Sequence, residues 1–184
     1  MLLSLLVSNL LAQELSQVQK NQKVDVRNHM NIRAGFSTAT TNGRPTICLE
    51  GVIISTFAIE TCGTGYGFIH QDSGIDFVHF RGKWSIFQRS FAGTQLMAQI
   101  GAGFAEIQLA DDQLGFQFTG AGEGIETAGP EMSTSIQFVR ELAPKTNLII
   151  DMNGGAAYFR YGPNLMVPQS QFFPFFEISA GFGW

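Results

Sequence analysis

Charge is scarce in this 184-residue chain: Lys, Arg, Asp and Glu make up 14% of it, against about 25% in an ordinary soluble domain. The formal net charge is -4 and no cluster of Lys or Arg occurs, which removes the electrostatic footprint that nucleic-acid binding needs. Long apolar runs are missing too; no stretch of ~18 consecutive apolar residues is available to cross a bilayer as a helix. Only two cysteines are present, without a CxxC or clustered histidines, so the spacing gives no metal-ligand pattern and no cofactor is implied. Internal repeats and low-complexity tracts are also lacking. What is plentiful is Gly (21) and Phe (17), within 45% hydrophobic residues, too apolar for a disordered chain. Gly, Phe, Ser, Thr and Gln, rather than Leu and Ala, take up the missing charge, which speaks against a helical bundle. The length fits one domain, and any membrane crossing would have to be made with strands.

Residues 1–12 (MLLSLLVSNLLA) resemble the apolar core and cleavage end of a secretory signal, although no basic segment precedes them. Residues 13–29 are polar and lack an apolar face, and read as a leader or periplasmic arm. From Met30 onward the pattern has period two. Ile32, Ala34 and Phe36 alternate with Arg33, Gly35 and Ser37; Val78, Phe80, Trp84 and Ile86 alternate with His79, Arg81, Lys83 and Ser85. The final segment shows it best, with Phe176, Ile178, Ala180, Phe182 and Trp184 against Glu177, Ser179, Gly181 and Gly183. Strands are expected at about 30–40, 46–54, 57–69, 76–88, 93–109, 131–142, 146–160 and 172–184. Short connections near 55, 90 and 144 separate from longer ones near 43, 72, 120 and 166, as in a barrel with short turns at one end and loops at the other. The GFQF at 115–118 leaves a ten-stranded arrangement open.

Three features orient the apolar face outward, towards lipid. The polar faces carry small residues and a near-balanced charge set, the sequence has too few Lys and Glu for a soluble surface, and aromatics (Phe80, Trp84, Phe104, Tyr158, Phe172, Phe173, Trp184) fall towards strand ends, where interfacial girdles form. The tail FFPFFEISAGFGW then resembles the C-terminal assembly signal of outer-membrane barrel proteins, matched at Phe176, Ile178, Ala180, Phe182 and Trp184. The eight-strand count resembles the small barrels typified by the transmembrane domain of outer membrane protein A. This resemblance implies an all-β, antiparallel up-and-down transmembrane barrel over 30–184 in the bacterial outer membrane, with lipid, lipopolysaccharide and the assembly machinery as partners, and a monomeric state.

Candidate chemistry is sparse. If the second and third strands form a hairpin, Cys48 and Cys62 lie opposite each other and can form a disulfide, which an oxidising compartment permits. The same register opposes Glu50 to Glu60 and suggests an interior charge network of Arg33, Glu50, Glu60, His79, Arg81, Lys83, Asp151 and Glu177, with Glu177 meeting Arg33 where the barrel closes. Unpaired buried charge is costly, so the network's plain role is to satisfy charge in a narrow lumen; a narrow gated, porin-like pore is the sharper one. His70, Asp72 and Ser73 form the sole cluster with hydrolase or acyltransferase chemistry, at the loop end. A lipid-modifying barrel enzyme and a soluble, lipocalin-like ligand-binding barrel are therefore the alternatives to a structural or surface-interaction barrel.

Overall fold

The computed structural model describes residues 29–41, 44–64, 74–109, 116–118 and 124–184. Residues 1–28, including the signal-like segment and nearly all of the polar arm, lie outside them. Eight antiparallel strands close into a barrel in sequence order: β1 (Met30–Ser37), β2 (Pro45–Ile54), β3 (Phe57–Gly63), β4 (Asp76–Phe91), β5 (Thr94–Gln108), β6 (Glu126–Ala143), β7 (Thr146–Tyr158) and β8 (Phe172–Gly183). β1 pairs with both β2 and β8, so no strand has an open edge. The alternative of ten strands fails: the closed ladder holds eight, and among the described residues the 116–118 segment joins it through bonds from Ala128 N–H to the Gln117 carbonyl and from Gln117 N–H to the Glu106 carboxylate, and through a contact between the Phe118 and Phe104 rings.

A walk across the paired residues from Met30 through Gly51, Ile59, Gly82, Ala102, Met132, Ala156 and Pro174 returns to β1 at the level of Thr40, a stagger of ten residues. Strands in such barrels tilt about 35–45° to the axis, and eight of them leave an interior just wide enough for side chains. Three connections are tight turns, at Ser55-Thr56, Ala92-Gly93 and Pro144-Lys145. Ala92 and Gly93 both take positive φ, 48° and 74°, the combination a two-residue hairpin turn requires. These turns share one end of the barrel, the turn end, with Met30 and Trp184; the longer connections gather at the other, the loop end.

Each tight turn is preceded by a bulge, between Val52 and Ile54, Ser85 and Phe87, and Glu141 and Ala143. The residues left out of pairing, Ile53, Ile86 and Leu142, are exposed, so the bulges ring the turn end with three additional outward apolar side chains. β6 starts five residues before its expected position. Pairing to β7 begins only at Glu131, so Pro130 lies at the edge of that ladder, where its missing N–H is tolerated.

The distribution of residues is inside-out. In β1 the buried positions are Asn31, Arg33, Gly35 and Ser37, and the exposed ones are Met30, Ile32, Ala34 and Phe36. The same holds around the barrel: Ile47, Leu49, Phe80, Trp84, Ile100, Ile136, Ile150, Ile178 and Phe182 face out, while Glu50, Glu60, Arg81, Lys83, Gln137 and Asp151 are buried. A soluble ligand-binding barrel has the opposite arrangement.

Candidate functional site: the lumen

Four layers fill the lumen from the turn end to the loop end. The first is a cavity of about 270 Å³ at the turn-end mouth, lined among others by Asn31, Glu50, Phe57, Gln99, Gln137 and Asn147. Its floor is the second layer, a charge belt built from lumen-facing residues of five strands, β1 to β4 and β7. Lys83 Nζ lies 2.9 Å from Glu50, 3.0 Å from Glu60 and 2.8 Å from Asp151. Arg33 pairs with Glu50 at 3.2 Å, with Asp151 at 2.8 Å and with Glu60. Arg81 donates from Nε to Glu60 at 2.8 Å and also from its terminal guanidinium nitrogen. Three cations and three carboxylates thus form one cluster, with Glu60 touching every cation and Lys83 each of the three carboxylates; Arg81 also reaches a fourth, Glu131, at 3.5 Å. Gln137 completes it, its amide donating to Glu50 at 3.2 Å and to Asp151 at 3.0 Å.

The belt depends on glycines beside it. Gly181 is opposite Arg33, and Gly103 and Gly101 are opposite Arg81 and Lys83. A Cβ on Gly103 would stand 2.1 Å from the Phe80 carbonyl oxygen and 2.6 Å from Arg81 Cα. Only glycine lets the neighbouring strand approach this closely while a long cation fills the space.

In the third layer, Cys48 and Cys62 are directly opposite each other on β2 and β3, with Cα atoms 4.1 Å apart, and form a disulfide. His79 is opposite Cys62 on β4. Its Nδ1 is 3.4 Å from Glu131 and its Nε2 3.7 Å from Glu177, and neither nitrogen has a hydrogen-bond partner among the described residues. Glu177 therefore stands by His79, whereas the sequence placed it against Arg33. It is paired with Ser37, whereas Arg33 lies opposite Gly181, four residues further along β8; Arg33 turns instead to the carboxylates of β2, β3 and β7.

The fourth layer is apolar. Ala39, Phe77, Ala105, Ile107, Ala157, Phe159, Leu165 and Phe175 form a buried cluster with Phe173 packed on it. Phe77 and Phe175 rings lie 5.0 Å apart, and both rings pack against the His79 imidazole. Phe173 is thus part of this plug rather than of an exterior girdle. Leu165 is delivered by the 159–171 connection, which a 3-10 turn at Gly162–Asn164 shapes and a bond from Met166 N–H to the Gly124 carbonyl ties to the neighbouring loop. Arg44 and Asp76, 2.8 Å apart, tie the first two loop-end connections together.

Phe176, Ile178, Ala180, Phe182 and Trp184 all face outward on and beyond β8. His70, Asp72 and Ser73 lie outside the described residues. Sequence reasoning overlooked Glu131, Gln137 and Asn31, the last of which donates to Glu50 at 2.9 Å. The signal was there for the first two: Glu131, Ser133, Ser135 and Gln137 alternate with Met132, Thr134, Ile136 and Phe138.

No family model matches this chain and no curated protein does. Two solved structures of Ail, the attachment invasion locus protein of Yersinia pestis, are similar to this chain at a low level. The one in complex with the heparin analogue sucrose octasulfate is 11% identical, covering 84% of this chain and 95% of that one, with a TM-score of 0.37. The other is 10% identical, covering 85% and 97%, with a TM-score of 0.36. The barrel itself rests on the continuous pairing of its eight strands.

Proposed function

We propose that this chain is an outer-membrane β-barrel whose apolar exterior faces lipid, whose lumen is filled and structural, and whose loop end carries a surface-interaction role. The inside-out distribution carries the reading. Moving one large apolar side chain out of water is worth about 1.5–3 kcal/mol, and exposed apolar surface of this extent marks a membrane or partner interface. A closed barrel satisfies every backbone group inside a bilayer. The outward row from Phe176 to Trp184 suits recognition by the assembly machinery, the aromatics Trp84, Trp184, Tyr158 and Phe172 suit interfacial girdles facing lipid and lipopolysaccharide, and closure on itself suits a monomer. The loop end offers Met166 and Val167, both exposed beside the buried Leu165, on a connection held by its own backbone bonds.

The first test is fractionation of expressing cells, with the membrane fraction run on unheated and heated gels. An outer-membrane location with a heat-modifiable shift is expected; a protein that is monodisperse in plain buffer would overturn the reading. Because the charge belt and the apolar plug both close the lumen, planar bilayers containing the protein are expected to show no steady conductance.

A further inference from the structure

The third layer of the lumen holds donors that the barrel's architecture does not by itself require. Cys48, Cys62 and His79 are opposite one another in a single row across β2, β3 and β4, and Glu177 reaches the same space from β8. One donor atom from each, two sulfurs, an imidazole nitrogen and a carboxylate oxygen, lie within 4.8 Å of one another, and all four residues are buried. A second observation comes from His79. It is fully buried and, among the described residues, neither of its ring nitrogens has a hydrogen-bond partner, a costly state for an imidazole. Its Nε2 faces Glu177, while its Nδ1 faces the carboxylate of Glu131 at 3.4 Å. A carboxylate behind the far nitrogen is how metal-bound histidines are held in orientation.

We propose that, once the Cys48–Cys62 bond is reduced, Cys48 Sγ, Cys62 Sγ, His79 Nε2 and a Glu177 oxygen form a four-donor site for a divalent cation of the zinc class, with Glu131 orienting His79. Four donors that include two thiolates and an imidazole select zinc-like ions over calcium or magnesium, which prefer oxygen cages. The charge balance favours the exchange. A disulfide is neutral, and two thiolates with one divalent cation are neutral together, so the lumen passes between the two states with no change in its net charge. The chemistry needs a reductant, here a water-soluble phosphine. The phosphine takes up the oxygen of water to become its oxide, and the two electrons and two protons released convert the disulfide to two thiols. Metal binding then displaces both thiol protons to solvent. Disulfide and metal are mutually exclusive occupants.

The test uses the full chain folded in detergent with and without the phosphine, folding being read from the unheated gel shift, and titrated with cobalt(II). The reduced barrel is expected to bind one cobalt per chain with a thiolate charge-transfer absorption and intense visible bands of tetrahedral cobalt, both lost on adding zinc. The oxidised barrel, Cys48→Ser and His79→Ala are expected to give neither absorption. Glu131→Gln keeps all four donors and is expected to weaken binding about 10–100-fold, the usual cost of losing an outer partner. A reduced chain that folds only when metal is present also supports the site. The proposal is overturned if the folded, reduced barrel gives no thiolate band, if oxidised protein or His79→Ala binds cobalt equally, or if reduced chain fails to fold with or without metal.

Discussion

The charge belt and the apolar plug both close the same tube, yet they do so by different physics. In the belt, Arg33, Arg81 and Lys83 share Glu50, Glu60 and Asp151, with Glu131 beyond Arg81, and each ion is buried. Such a cluster is tolerant of shape and intolerant of imbalance, because removing one partner leaves a buried charge unmatched. The plug of Phe77, Phe159, Leu165 and Phe175 has no polar group to satisfy. It is sensitive to volume and indifferent to charge elsewhere. The lesson is that one lumen can be sealed by stoichiometry at one level and by packing at the next.

The sharpest way to break this contrast is Lys83→Met, which keeps most of the side-chain volume. A loss of about 3–5 kcal/mol is expected, measured by urea unfolding in detergent, and adding Glu60→Gln should restore part of it by rebalancing the cluster. Full tolerance of Lys83→Met would mean that the belt is held by packing after all. Next in size is the boundary between the layers. Replacing both Cys48 and Cys62 by Ser opens a bridge between residues 14 apart in sequence, for which the chain-entropy model gives about 3 kcal/mol, seen as a lower unfolding midpoint. The smallest effect belongs to the plug: Leu165→Met conserves side-chain volume in an apolar layer and is expected to cost less than about 1.5 kcal/mol. A cost for Leu165→Met equal to that of Lys83→Met would erase the distinction between the layers.

The belt was largely legible in the sequence and the plug was not, for a physical reason. A charged residue in an otherwise apolar alternation declares its side, so Arg33, Arg81, Lys83 and Asp151 could be placed in the lumen from parity, and the opposition of Glu50 to Glu60 followed from one hairpin turn. Phenylalanine occurs on both faces of this barrel. Residue type therefore could not tell Phe173, inside, from Phe172, outside, and Phe159 and Leu165 act from beyond the end of β7, where no alternation survives. Register errors had the same origin. Local bulges such as that at Ile86 turn two successive apolar residues outward, which no strict period of two anticipates. Glu177 was assigned to the right face but to the wrong neighbour, because parity fixes the side of a strand and not the height along it.

The seam between β1 and β8 carries a final consequence. Trp184 accepts bonds at its carbonyl from the N–H groups of His29 and Met30, and its own N–H donates to the Met30 carbonyl, so the two chain ends of the barrel are zipped side by side at the turn end. The order in which the strands occur along the chain is then arbitrary as far as the closed ring is concerned. A circular permutant that joins Trp184 to His29 through a short flexible linker and opens the chain at Ser55-Thr56 preserves every strand pair, and the new ends emerge on the same side as the old.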